Sequence, residues 1–282
     1  MWVDSCSDRI VALCNDRLVV HDLSKGHTLS YLDCRADAST ALVMSSILDG
    51  VCVADYSTKT LECFDALTGR KRWRREHICE RLYVTCAGGS RIVVCPHRGP
   101  ACIYDFADGN KLGEIDGAVS IVGHPTKRWC LAASRLENDG SMTLKNWDLD
   151  THTVIASTTS DLDGISCHHW SLRGICLATA ADRVLRFYDT GLRETWRYRG
   201  LQDHLWMGVA QQDDEFFAQS QNQCTGKGLV IRAKMKSGEL LSSRDCDQAM
   251  IVHDVGDQGR LAVAVTGTWD TSKLEWYPRT FC

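Results

Sequence analysis

No stretch of the chain approaches the roughly 18 consecutive apolar residues that a membrane-spanning helix needs. The opening segment MWVDSCSDRIVALC is broken by Asp4 and Asp8 where a secretory leader would run apolar without interruption. These two absences predict a soluble protein of the cytoplasm, with the nucleus as the alternative, and no membrane partner. Nor does one sign of charge dominate: 32 Lys and Arg stand against 36 Asp and Glu, a formal net charge of −4. That balance argues against a chain built mainly to coat nucleic acid, whose domains carry a strong basic surplus, while leaving room for a local basic patch. The spacings CxxC, HExxH, HxH, GxSxG and GxxxxGK[ST] are all missing. Zinc, serine-nucleophile and phosphate-cradle chemistry therefore have no motif behind them. Helical periodicity is nearly absent too.

What is present is the composition of a folded chain, 44% hydrophobic and 8% aromatic in 282 residues. The 15 cysteines are odd in number and scattered through strand-like segments. They read as buried free thiols rather than a disulfide framework, because Cys packs as a small hydrophobe and reducing compartments keep it reduced.

One phrase recurs. FDALTGRKRWRRE at Phe64 is echoed by HDLSKGHTLSYL at His21, YDFADGNKLGEI at Tyr104, WDLDTHTVIAS at Trp147 and YDTGLRETWRY at Tyr188. Aligning Asp22, Asp65, Asp105, Asp148 and Asp189 with Lys234 and Tyr277 gives intervals of 43, 40, 43, 41, 45 and 43 residues. Within each interval four short apolar runs alternate with Gly, Asp, Asn and Ser clusters at hairpin distances, as in ALVMSS, GVCVADY, TLECFD and RKRWRR. Strands alone at a period of 40 to 45 are the signature of propeller blades. The expectation is an all-β, seven-bladed β-propeller of four-stranded antiparallel blades in a single domain. Its blades lie near 1–35, 36–78, 79–117, 118–160, 161–200, 201–246 and 247–282. One strand position is unfilled: either MWVDSC belongs to the first blade and the last lacks its outer strand, or MWVDSC completes the last blade and the first lacks its inner strand.

FDALTGRKRW resembles the repeat signature of quinoprotein-type (PQQ-like) propellers, and NWDLDT at Asn146 is similar to the Trp-Asp ending of WD40 blades. The resemblance covers the whole chain as architecture, its sharp motif being confined to the second blade. It implies that the Asp accepts hydrogen bonds in the turn and that the Trp covers the sheet face beside the next blade. The chain departs from the quinone-dependent dehydrogenases in having no adjacent Cys-Cys pair and no leader, so no quinone or other cofactor is expected. It departs from regular WD40 repeats in that the Gly-His pair occurs only at Gly26-His27 and Gly123-His124, out of period.

The remaining candidates are surface residues. CHHW at Cys167 offers two adjacent histidines, but neighbours in a strand point to opposite faces and cannot share one ion. The densest basic run, Arg70, Lys71, Arg72, Arg74 and Arg75, falls on an outer strand. Alternation puts Arg70, Arg72 and Arg74 on one face and Lys71, Trp73 and Arg75 on the other. Such a strand protects a sheet edge from aggregation or, alternatively, binds nucleic acid. Propellers bind through loops at one end of the sheets. The loops between second and third strands offer His97, Arg98, Glu137, Asn138, Asp182, Arg183 and Trp269, and those linking blades offer His77, His204 and Trp206. Trp206 equally suits the start of an inner strand. The expectation is a non-catalytic interaction scaffold for a protein partner, or one propeller of a larger assembly. The alternatives are a propeller hydrolase or lyase with a channel-mouth site, and a nucleic-acid binder using residues 70–75.

Overall fold

The computed structural model describes residues 3–6, 9–14, 17–22, 25–35, 40–45, 47–76, 82–96, 98–136, 141–162, 165, 167–171, 174–179, 183–199, 204–209, 215–221, 228–246, 249–255, 260–266 and 273–278. All regular structure among them is strand. The first sheet holds β1 (Val3–Cys6), β2 (Arg9–Cys14), β3 (Arg17–Asp22) and β4 (His27–Arg35). The second holds β5 (Thr40–Ser45), β6 (Gly50–Asp55), β7 (Thr60–Asp65) and β8 (Lys71–Glu76). The third holds β9 (Leu82–Ala87), β10 (Arg91–Pro96), β11 (Ala101–Asp105) and β12 (Lys111–Ile115). The fourth holds β13 (Ser120–Gly123), β14 (Trp129–Arg135), β15 (Met142–Asp148) and β16 (Thr153–Ser160). The fifth holds β17 (Cys167–Ser171), β18 (Gly174–Thr179), β19 (Val184–Asp189) and β20 (Glu194–Arg199). The sixth holds β21 (His204–Val209), β22 (Glu215–Gln221), β23 (Gly228–Lys234) and β24 (Leu240–Cys246). The seventh has three strands among the described residues, β25 (Ala249–Val255), β26 (Arg260–Thr266) and β27 (Lys273–Pro278).

Each sheet is an antiparallel meander in sequence order. Of the two arrangements foreseen for the ends, the first is the one adopted: β1 pairs with β2 in the first sheet. The strands gather into two compact units, one of Met1–Arg135 with Thr143–Ser157, the other of Leu136–Met142 with Thr158–Cys282. In the first unit the opening strands β1, β5, β9 and β13 lie successively side by side; in the second, β17, β21 and β25 do so.

Composition follows position. The middle strands β6 (GVCVAD) and β7 (TLECFD) are buried almost throughout, as strands covered on both faces must be, whereas β8 (KRWRRE) is only half-buried at alternate residues. The core lies between the faces of successive sheets. Val11, Leu18 and Val20 pack against Val51, Val53 and Phe64; Cys52, Leu61 and Cys63 against Ile92, Val94 and Phe106; Leu185 and Phe187 against Ile231 and Met235.

The recurring phrase is a turn and a lock. Asp65 ends β7, and its Oδ1 accepts hydrogen bonds from the amides of Leu67 (3.1 Å) and Thr68 (2.8 Å) and from the Thr68 hydroxyl (2.9 Å). Asp105, Asp148 and Asp189 take the amides of their own turns in the same way. Four residues on, the chain enters the left-handed region, with φ of 71° at Gly69, 70° at Gly109 and 55° at His152. The residue immediately after the Asp is a junction. Its amide bonds the first turn of its own sheet: Ala66 to Asp49 O (2.8 Å), Phe106 to Ser90 O (3.0 Å) and Leu149 to Arg128 O (2.9 Å). Its carbonyl receives the outer strand of the preceding sheet, from Trp73 Nε1 to Phe106 O at 3.0 Å, Trp196 Nε1 to Met235 O at 2.6 Å and Ser30 Oγ to Ala66 O at 2.7 Å.

Both Trp rings lie flat against a turn glycine. A Cβ on Gly109 would stand 2.7 Å from the Trp73 ring, and one on Gly238 2.7 Å from the Trp196 ring. Between the third and fourth sheets the bulk is exchanged: the position of Trp73 is Gly113, and the His152 ring from the turn opposite fills the space, 2.2 Å from where a Cβ would be.

A β-bulge stands immediately before each locking residue. Cys63 pairs with Trp73 but Phe64 pairs with Lys71, leaving Arg72 as the extra residue, and the same slip recurs at Leu29, Leu112, Thr195 and Leu241. The strict alternation expected along residues 70–75 is therefore corrected. Lys71 and Arg74 share one face, Trp73 and Arg75 the other, and Arg72 turns back over the hairpin.

Gly109→Ala should cost about 3 kcal/mol, combining left-handed strain with displacement of Trp73. Gly26→Ala, at φ 68° with nothing within 4 Å of the added carbon, should cost only about 1 kcal/mol. Urea denaturation of the two variants measures the difference, and equal losses would show that the ring imposes no constraint.

Candidate partner-binding face

Strand β8 brings together the cations of residues 70–75, and its geometry shows what each is engaged in. Arg72 donates to Leu48 O (2.7 Å), Asp49 O (3.1 Å) and Asp65 Oδ2 (2.7 Å). The Arg72 guanidinium and the turn amides hold the Asp65 carboxyl down at about 2. Arg75 reaches the next sheet, bonding Gly109 O (2.8 Å), Asp108 O (3.0 Å) and Asn110 Oδ1 (3.0 Å). Lys71 and Arg74 converge on the buried Glu62 carboxylate at 2.8 and 3.3 Å. Of the five, only Arg70 makes neither a side-chain hydrogen bond nor an ion pair among the described residues. The strand is thus a set of hairpin and inter-sheet staples, with little cationic surface left for phosphate.

The same end of the first unit is electrostatically self-contained. Arg91 bridges Asp105 (2.7 Å) and Asp150 (3.0 Å), Arg128 joins Asp150 (3.0 Å), and Arg9 pairs with Asp49. In the second unit Arg186, 2% exposed, lies 3.1 Å from Asp161 and 3.9 Å from Glu194, which Arg197 also engages. Asp161 is thereby an ion-pair partner.

The out-of-period Gly123-His124 pair has a structural task. His124 is fully buried, its Nδ1 accepts the amides of Thr126 (3.2 Å) and Lys127 (3.1 Å), and its ring meets Trp129 edge-on at 5.7 Å. Trp129 in turn hydrogen-bonds the Asp148 carboxylate. Burial, reinforced by Lys127, pushes His124 down to about 4. The eight cysteines whose side chains the structure describes are free thiols; burial raises Cys34 and Cys130 to about 12 and Cys95 to about 11. Such thiols are neutral packing groups.

At the opposite end, where second and third strands connect, the structure places two of the loop candidates. Arg98 follows β10 and is exposed without an ion pair among the described residues; Arg183, at φ 57°, precedes β19 in the second unit and is exposed. His204, expected in a linking loop, belongs instead to β21, the first strand of its sheet, and Trp206 takes the second of its two expected places, in that inner strand. The run HLWMGV alternates as a strand does, so pairing begins at His204. His77, His97, Glu137, Asn138, Asp182 and Trp269 lie outside the described residues. Two further residues share the end of Arg98. Tyr83, opposite Cys95 one pair from the start of β9, is 60% exposed, and Val119, whose amide bonds Ala133 O at 2.8 Å just before β13, is 46% exposed. Both sit at the starts of neighbouring inner strands. Nothing in the sequence distinguished Tyr83 from the other apolar residues of LYVTCA.

Neither a protein-family model nor a curated protein matches the chain. Solved structures do. BamB from Moraxella catarrhalis, a PQQ-like propeller, superposes with a TM-score of 0.64 at 14% identity over 99% of this chain and 85% of that one. A WD40 propeller of the mitotic checkpoint complex gives 0.74 at 12% identity over 96% and 85%. The Swd1 β-propeller domain of Myceliophteria thermophila gives 0.70 at 11% identity over 95% and 96%. The fold shared with these structures is the β-propeller, found in both WD40 and PQQ-like forms among them, as the sequence resemblance implied.

His124 makes stability pH-dependent with a definite sign. Its folded value near 4 lies below the usual 6.5, so as pH falls the unfolded chain takes up a proton first. Stability present above about 6.5 is lost progressively down to about 4, on the order of 3 kcal/mol. His124→Asn, which keeps an acceptor for the turn amides, should flatten that slope in urea unfolding across the window; an unchanged slope would remove His124 as its cause.

Proposed function

We propose that the protein is a non-catalytic platform that holds a protein partner at the end of the sheets where second and third strands connect. One observation carries this reading: Tyr83 near the start of β9 and Val119 just before β13 stand largely in solvent at the same end of the sheets as the exposed Arg98. Tyr and Arg are the residue types that anchor interfaces, and rigid strand ends present them at little entropic cost. The presence of a propeller in a multiprotein assembly such as the mitotic checkpoint complex supports the reading by analogy. Against an enzymatic reading stand the tasks of the strongly shifted groups, since Asp65 closes a turn, His124 caps one and the thiols fill cores. Against nucleic-acid binding stand the internal bonds of Arg72, Arg74, Arg75 and Lys71. The expected cytoplasmic or nuclear location accompanies the proposal.

The test is capture of stoichiometric partners by the tagged full chain, compared with Tyr83→Ala combined with Arg98→Glu. The double variant should reduce retention at least tenfold, while Ile47→Asn with Leu67→Asn, both exposed at the opposite end, should leave it unchanged. Loss in the Ile47/Leu67 variant alone would move the interface to the other end. Retention by all variants would discard the face.

A further inference from the structure

Edge strands are pairing templates, and natural sheets guard them with charge. Six of the seven closing strands do so: HTLSYLDCR, KRWRRE, KLGEI, ETWRYR, LLSSRDC and KLEWYP each carry at least two charged side chains. The seventh, β16, reads TVIASTTS and carries none in its 8 residues. Among the described residues no further strand pairs on its outer side. Thr153, Ile155, Ser157 and Thr159, which share one side by alternation, are all exposed, and Val154 and Ile155 are 42% and 43% exposed. Rich in β-branched residues and long, β16 lacks the charge and the proline that commonly guard an edge.

We propose that β16 is a homotypic docking edge, on which the β16 of a second copy of this chain adds as an antiparallel strand. The composition favours that occupant. Two-fold antiparallel pairing sets a strand against itself, so each residue meets one from the same short list. Centred on Ile155 it opposes Ile155 to Ile155, Val154 to Ala156 and Thr153 to Ser157; centred on Ala156 it opposes Val154 to Thr158 and Thr153 to Thr159. Every pair is uncharged and of the small or β-branched kind that stabilises cross-strand contacts. The same operation on β8 about Trp73 would oppose Arg72 to Arg74 and Lys71 to Arg75, like charge against like. A charged strand from another protein would find no complementary charge on β16. One strand pair buries less than the roughly 1,000 Å² of a durable interface, so the association is weak and concentration-dependent. It is independent of the partner-binding reading.

Sedimentation equilibrium of the full chain from roughly 10 µM to 1 mM tests it, in the range where weak pairs become populated. The wild type should show reversible dimer formation. Ile155→Lys should weaken it at least tenfold, while its circular dichroism and unfolding midpoint stay those of the wild type. Leu112→Lys, the same change at an exposed residue of β12, should leave dimerisation as it was. Should Ile155→Lys fail to fold, Thr153→Glu at the exposed start of the strand carries the same test. A wild type that stays monomeric throughout, a charged β16 that dimerises unchanged, or an equal effect of Leu112→Lys would overturn the proposal.

Discussion

The hydrogen bond from an outer-strand side chain to the carbonyl just past the turn Asp is the contact on which successive sheets depend. A sheet of four strands has two apolar faces and cannot stabilise itself alone, so it must be held against a neighbour at a fixed angle and height. The residue after the Asp does this from both directions, through its amide to its own first turn and its carbonyl to the preceding sheet. Because the buried carbonyl would otherwise lack a donor, the lock is enforced by the cost of leaving it unsatisfied. The ring that supplies the donor also needs a surface without a Cβ, which is why the turn residue opposite it is glycine. Where the outer strand supplies Gly113 instead, the turn supplies His152, and the total bulk between the sheets is kept.

The bulge ahead of each lock explains the apparent extravagance of charge on β8. Slipping the register by one residue swings Trp73 and Arg75 toward the neighbouring sheet and leaves Arg72 over its own hairpin. An arginine there serves three acceptors at once, two carbonyls and a carboxylate, a task suited to its fork of donors. The cations that look like a nucleic-acid strip in the sequence thus also answer a local need for donors at the hairpin and between sheets.

That contrast marks what could be read from the residues. The strand count per repeat, the Asp turn, the glycine and the wedge-like Trp were legible, because each depends on a side chain suited to one conformation. The junction residue was not: it is Ala66, Phe106, Leu149 or Met235, and it acts through its backbone. The bulge was equally hidden, since Leu29, Arg72, Leu112, Thr195 and Leu241 have nothing in common beyond their place. For the candidate face, Arg98 and Arg183 were legible as exposed because loops advertise exposure, whereas the exposure of Tyr83 was not, because alternation says which face a strand residue takes and not whether a neighbour covers it. His204 was assigned to a loop, and Trp206 left between loop and strand, for the converse reason, that the boundary between linker and strand is set by pairing with β22.

Taken with the buried histidine and thiols, the locks imply a division of labour within each sheet. Polar and ionisable groups at the hairpin end satisfy one another, so that end presents few groups seeking a partner. Among the described residues no such lock recurs at the opposite end, where Tyr83 and Val119 stand exposed at the starts of inner strands. Recognition evolves most readily where substitution costs the scaffold least. A propeller built on a carbonyl lock at one end of its sheets is thus left with the other end, and the outer edges, as the surfaces on which new contacts can arise.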